Sequence, residues 1–335
     1  MKKAMVVAAA VAACSGAFAQ SNVQLMGLAD VFVGSMRLAG DAKHSSVVGT
    51  SGMTTSWWGL KGTEDLGGGL KANVAFTGFM RMTNGAAGRF DGDPMFSRDA
   101  NVSLSGSFGT VMAGRGLAPN FVPTVAFNPI GDSFTFSPLV LHNNVGKSGF
   151  PKANPSDTGW SSEIIYTTPD FSGLKANLHY QLAGVSGKKD VGANLLYFSG
   201  PVGLTAYYER DQLTNPTVAA FADGSTKTVW MLGGSYDAGV VKGFATYGQS
   251  KTDLSTTKQK TYSLGASAPM GANGKLLAAY ANSKVNTSGV KRQTLTVGYD
   301  YNLSKRTDVY AMVMSDKITN LSSGTSVGVG IRHRF

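Results

Sequence analysis

The sequence predicts an all-β chain: a 16-stranded antiparallel β-barrel that crosses a membrane, with a long third loop folded into the lumen. Three observations predict it. The dominant hydropathy period is two residues. Glycine is abundant, 43 of 335 residues, and charged residues are sparse at 15%. The N-terminus reads as an export signal, and no later stretch has the ~20 apolar residues a membrane helix needs. An exported membrane protein without such helices satisfies its backbone in lipid only as a closed barrel.

The export signal occupies residues 1–19. Lys2 and Lys3 form a positive start, Ala4 to Ala13 a short apolar run, and Ala17-Phe18-Ala19 a cleavage site of small residues. A second reading makes Cys14 the lipidated residue of a lipoprotein box, Val11-Ala12-Ala13-Cys14, which lacks its usual leucine. Cleavage after Ala19 removes the single cysteine, and with it disulfides, thiol catalysis and cysteine-ligated metals. Residues 20–335 then read as one domain, because no Pro/Ser-rich linker, charge block or low-complexity tract divides them. The formal charge of +10 falls by two with Lys2 and Lys3. In an exported protein that excess acts on small anions or anionic headgroups rather than on nucleic acid.

The alternation is clearest at 70–81. There Lys71, Asn73, Ala75, Thr77, Phe79 and Arg81 interleave with Leu70, Ala72, Val74, Phe76, Gly78 and Met80. A tilted membrane strand needs ~9–11 residues, and lipid-facing and lumen-facing side chains must alternate in it. Sixteen such segments follow one another, beginning 23–37, 54–63, 70–81, 96–105 and 110–115 and ending 326–335. Short Gly-rich turns such as Asp65-Leu66-Gly67-Gly68-Gly69 alternate with longer polar connections such as 82–95 and 211–225. That asymmetry is a barrel's, with both termini on the periplasmic side.

The connection 116–159 is far longer than the rest, and such a loop is usually functional. It carries Phe121, Phe127, Phe134, Phe136, Leu139, Val140 and Leu141, a poor surface for water. Folding into the lumen would bury them and narrow the pore. At the C-terminus Val327, Val329, Ile331, His333 and Phe335 share one face, with Phe335 read as an assembly signal. Ser326, Gly328, Gly330, Arg332 and Arg334 form the other face.

These residues together resemble the Gram-negative trimeric general-diffusion porins of the β-proteobacterial type. The likeness covers the whole mature chain. It runs from Val23-Gln24-Leu25-Met26-Gly27-Leu28-Ala29-Asp30 through Trp58-Gly59-Leu60-Lys61-Gly62-Thr63-Glu64-Asp65-Leu66-Gly67-Gly68-Gly69. It continues through Phe96-Ser97-Arg98, Gly114-Arg115 and Tyr166-Thr167-Thr168-Pro169 to Arg332-His333-Arg334-Phe335. The resemblance implies a homotrimer in the outer membrane, in contact with its lipid and lipopolysaccharide, inserted by the barrel assembly machinery and passing small hydrophilic solutes and ions. It implies a basic wall of Arg98, Arg115 and Lys61 facing an acidic loop. Two positions depart from the family: Trp57 stands where an Arg is common, and Gly159 or a neighbour replaces another. Trp57 shares parity with Lys61, so a lumen position is expected for it rather than an interfacial girdle.

Arg81 and Lys71 belong to the lumen, since facing lipid would cost ~2–4 kcal/mol near mid-membrane. Arg37 keeps the parity of Val31 and Val33, which a bulge, a loop position or a subunit contact would explain. Between Gly116 and Pro155 the only acid is Asp132. One carboxylate does not balance several wall cations, so anion preference is expected. No cofactor, metal cluster or catalytic motif is expected, because His44, His142, His179 and His333 are scattered and no serine has a nucleophile motif. The alternatives are a substrate-specific channel, a non-conducting adhesin or structural barrel, and an outer-membrane lipase.

Overall fold

The computed structural model describes residues 22–147, 150–154, 158–184, 187–214, 226–253 and 255–335. The export signal and Cys14 lie outside the described residues. The first strands are β1 (Asn22–Met36), β2 (Ser45–Thr50), β3 (Trp57–Gly67), β4 (Leu70–Phe79), β5 (Asp99–Gly106) and β6 (Gly109–Leu117). Two short helices follow, α1 (Phe121–Ala126) and α2 (Pro138–Asn144). Next come β7 (Gly159–Thr167), β8 (Leu174–Leu182), β9 (Lys189–Ser199), β10 (Val202–Asp211) and β11 (Lys227–Asp237). The chain ends with β12 (Lys242–Thr252), β13 (Lys258–Met270), β14 (Gly274–Val285), β15 (Lys291–Asn302), β16 (Thr307–Ile318) and β17 (Gly324–Arg334). No described helix is long and apolar enough to cross a membrane.

Every neighbouring pair is antiparallel, and the sheet closes where β1 meets β17, from Leu28 opposite Arg334 to Ser35 opposite Val327. The seam ends in a reciprocal backbone pair between Gly27 and Phe335, both bonds at 3.1 Å. The outer half of β1 pairs with β2 and its inner half with β3. These two are therefore one barrel strand in two pieces, and the barrel has 16 strands.

That break corrects the expected segment 54–63, which omits the paired piece 45–50 and counts 54–56, residues of the break itself, as strand. The cause is Asp30 on β1. Its carboxylate accepts the N–H groups of Gly52, Met53 and Thr54 at 2.9, 2.9 and 2.8 Å, and the Tyr310 hydroxyl at 2.6 Å. The backbone of 51–56 thus leaves the ladder and turns inward, its lost partners replaced by a carboxylate. The connection 116–159, expected only as a loop, contains the short helices α1 and α2.

The period of two sets which way each side chain points. On β15, Thr294 and Thr296 are fully buried, whereas Leu295 and Val297 are about half exposed on the outer surface. One rim carries the long connections and the other only short turns, so the long-connection rim is the outer one.

Candidate functional site

The long connection runs through the lumen and is fastened along its length. Asn194 Nδ2 donates to the Pro119 carbonyl at 2.9 Å, and Asn120 Nδ2 donates to the Glu209 carboxylate at 2.9 Å. Farther on, Ser133 Oγ donates to the Gly52 carbonyl at 2.5 Å, and Thr296 Oγ1 donates to that of Phe136 at 2.7 Å. Near its end Arg292 donates to the Val145 carbonyl at 2.8 Å, and Lys147 pairs with Asp41 at 2.7 Å.

The apolar side chains behave as the sequence expects. Phe136 meets Phe32 edge-on at 5.6 Å. Ile130 and Leu141 join Leu277, Met312 and Met314 in one buried cluster on the lumen faces of β14 and β16. His142 on α2 is fully buried, its ring nitrogens each 2.8 Å from a hydroxyl, Ser283 and Thr294. A neutral imidazole serves two hydroxyls, one as donor and one as acceptor. Burial, with Arg292 nearby, pushes its pKa down to about 3.

The lumen cations fall into two groups. The first is neutralised. Arg292 makes a two-pronged bond to Asp316 at 3.0 and 3.2 Å, with both side chains fully buried. Arg332 and Arg334 both reach Asp308 at 3.0 Å. The second group is free: among the described residues Lys61 and Lys71 have no carboxylate within ion-pair distance. Lys61 lies opposite Gln24 and Ala75, and Lys71 opposite Asp65 and Ser105, all with lumen parity. Arg98 sits between the groups, 2.7 Å from Asp99 and stacked 4.2 Å over the Trp57 ring.

Trp57 itself lies opposite Leu28 and Phe79, on the lumen side with Lys61. Lys71, Lys61 and Arg98 climb one wall, with about 13 Å between the levels of the two lysines along β4. Asp132 is partly exposed to the lumen. Burial pushes its carboxyl up, against a hydrogen bond with Thr54 and the charges of Arg332 and Arg98. Thr54 also accepts a bond from Arg332 at 2.8 Å. Trp57, Arg98 and Asp132 thus belong to one neighbourhood.

The remaining candidates lie elsewhere. Arg81 follows β4 at the outer rim, bonded to Asp91 at 2.8 Å, and lines a cavity of about 380 Å³ with Arg89, Phe134 and Lys152. Arg37 follows β1 at the same rim and donates to the Asp41 carbonyl at 3.2 Å. Arg115 is 6% exposed and donates to the carbonyls of Ser97 and Gly159 and to Ser161 Oγ. A bulge between Gly114 and Gly116, with Gly114 at φ +134°, sets it off the lumen alternation.

Sequence reasoning missed the pairs that neutralise the other wall. Their signal was present as parity, since Arg292 alternates with Thr294 and Thr296, and Asp316 lies opposite Thr294. Among the described residues no group of three acidic, histidine or cysteine side chains is arranged to hold a metal ion.

A model of the Gram-negative porin family matches residues 6–321 of this chain. The chain belongs to that family. This porin is 33% identical, over the full length of both chains, to outer membrane porin protein 32 of Delftia acidovorans. It is 27% identical, again over both full lengths, to an outer membrane porin protein of Bordetella pertussis. Among solved structures it resembles the anion-selective porin from Comamonas acidovorans. The TM-score is 0.81 and the identity 29%, covering 94% of this chain and all of that one. OmpT of Vibrio cholerae in its trimer form, at 13% identity and a TM-score of 0.69, covers 94% of this chain and 99% of its own and shares the fold. The porin is thus an outer-membrane channel protein.

Proposed function

We propose that this porin is a passive, water-filled channel that prefers small anions and is narrowed by its 116–159 loop. The observation that carries the reading is the imbalance of free charge. Lys61 and Lys71 stand unpaired on the open wall, while the one carboxylate among the loop's described residues is Asp132, held near Arg98 and Arg332. Rings and rows of unpaired charge set permeation barriers by sign. The likeness to the anion-selective porin from Comamonas acidovorans supports it. In this reading Arg98 and Trp57 line the narrow part, Arg81 and Arg37 the outer mouth, and Arg115 braces the wall.

The functional unit is a homotrimer in outer-membrane lipid and lipopolysaccharide, inserted by the barrel assembly machinery with Phe335 as its signal. The trimer form recorded for the Vibrio cholerae relative supports the assembly. The test is conductance of the folded porin in a planar bilayer across a KCl gradient. A reversal potential toward chloride is expected. A potential toward potassium overturns the anion preference, and silent bilayers overturn the channel.

A further inference from the structure

The outer mouth holds a cavity that a filter of bare charge does not require. It opens between residues 80–90, the inward turn at 50–55 and the long loop, and has a volume of about 380 Å³. Small-ligand pockets have that size. Its lining divides by chemistry. Met80, Phe90 and Phe134 supply apolar walls, and Arg81, Arg89 and Lys152 supply cations. No carboxylate is among the described lining residues. The walls are fixed by local bonds. Phe134 sits between Ser133, whose Oγ donates to the Gly52 carbonyl, and Thr135, whose Oγ1 donates to that of Ser51 at 3.1 Å. On the other connection Gly88 turns at φ +76°, and its N–H donates to the Phe79 carbonyl at 2.7 Å. That turn brings the Arg89 guanidinium over the Phe79 and Phe90 rings, 4.5 and 5.5 Å from their centroids. Walls held in place before a ligand arrives lower the ordering cost of binding.

The two arginines are held in opposite ways. Arg89 makes a two-pronged bond to Asp93 at 2.9 and 3.0 Å, and the Asp93 side chain is fully buried. That pair shapes the turn. Arg81 reaches Asp91 through one nitrogen, at 2.8 Å, and the Asp91 side chain is 94% exposed. So exposed a pair contributes little, and water or another carboxylate replaces it readily. Lys152 stands exposed at the same cavity. The cavity thus presents an exchangeable guanidinium and an ammonium beside flat apolar walls.

We infer that this cavity is a binding site for aromatic monocarboxylates of the benzoate class, which the porin collects at its outer mouth. The ligand's carboxylate takes the place of Asp91 on Arg81, and its ring lies against Phe90 and Phe134, with the Met80 thioether beside it. A site on a diffusion path must also let go. One ring and one carboxylate give an affinity on the order of 1 mM, weak enough to pass the solute inward. The inference deepens the channel reading by naming a solute class, and it rests on the open outer mouth of that reading.

The test titrates the full folded porin with sodium benzoate, and with sodium acetate as the carboxylate without a ring, by ligand-observed NMR. Benzoate is expected to saturate near ~1 mM, and acetate only at concentrations about tenfold higher or more. Arg81→Gln should weaken benzoate about tenfold. Phe90→Ala should weaken benzoate about fivefold and leave acetate where it was. Asp91→Asn should tighten benzoate about threefold, a gain that misfolding does not produce. Equal saturation by benzoate and acetate overturns the inference. So does benzoate binding untouched by both Arg81→Gln and Phe90→Ala, or a failure of Asp91→Asn to tighten it. Reversal potentials on the same preparations separate this site from the channel reading. A porin that saturates with benzoate yet reverses toward potassium keeps the site and loses the anion preference. A chloride-selective porin that benzoate does not saturate loses the site alone.

Discussion

Two stretches of the inner wall, β14 to β17 and β3 to β5, both carry basic residues and use them in opposite ways. On the first, Arg292, Arg332 and Arg334 are tied to Asp316 and Asp308, and the long loop packs over the wall. On the second, Lys61 and Lys71 stand free in the passage, and only Arg98 has a partner. The difference teaches that a lumen cation matters to permeation only when it is unpaired. A buried pair shapes the wall, whereas a free lysine shapes the field.

The comparison breaks most sharply at Arg292. Arg292→Met strands Asp316 in a buried site and drops the bond to the Val145 carbonyl, so a loss of about 3–5 kcal/mol is expected. Lys61→Met should stay within about 0.5 kcal/mol. Thermal unfolding of the folded porin measures both, and equal losses would erase the distinction.

Acid tests the same wall more gently. The His142 pKa is pushed down to about 3 when docked and is near 6.5 when released. The released form therefore takes up the proton first. Docking is complete above pH ~6.5 and weakens by about 1.4 kcal/mol per pH unit below it, until the docked ring also titrates. Protease cutting within 116–159 should rise by pH 5, and His142→Gln should flatten that dependence.

The free wall answers in selectivity rather than stability. Lys61→Glu combined with Lys71→Glu should turn the reversal potential from chloride toward potassium, by about fivefold or more in permeability ratio. The smallest expected effect is at Asp132. Asp132→Asn should raise chloride preference about twofold, since it removes the one carboxylate among the loop's described residues, beside two arginines. Because burial raises that carboxyl's pKa, acidification should produce the same change, beginning above the ordinary carboxylate range of ~3.9.

Most of this fold was legible because alternation is a local property. The strand at 70–81 and the last strand could be assigned to faces from parity alone, and the paired positions agree. Lys61, Lys71 and Trp57 were placed on the lumen parity by the same rule. What was not legible depends on residues far apart in the chain. The break between β2 and β3 is held by Asp30 and Tyr310, 280 residues apart. Nothing near residues 51–56 announces it, and the bulge at Gly114–Gly116 likewise resets the parity of Arg115. The neutralised arginines needed the register of β15 on β16, which a period of two does not supply.

The apolar cluster inside the lumen has a calorimetric consequence. Lipid shields the barrel's outer surface whether or not the loop is docked, whereas Phe32, Ile130, Phe136, Leu141 and Met314 are kept from water by the loop itself. Releasing the loop would wet that cluster while the strands stay paired. Exposure of apolar surface to water raises heat capacity, and its stabilising effect fades on cooling. The porin thus holds a small, soluble-type core inside a wall stabilised by other means, and a scanning calorimeter should register the two as separate events.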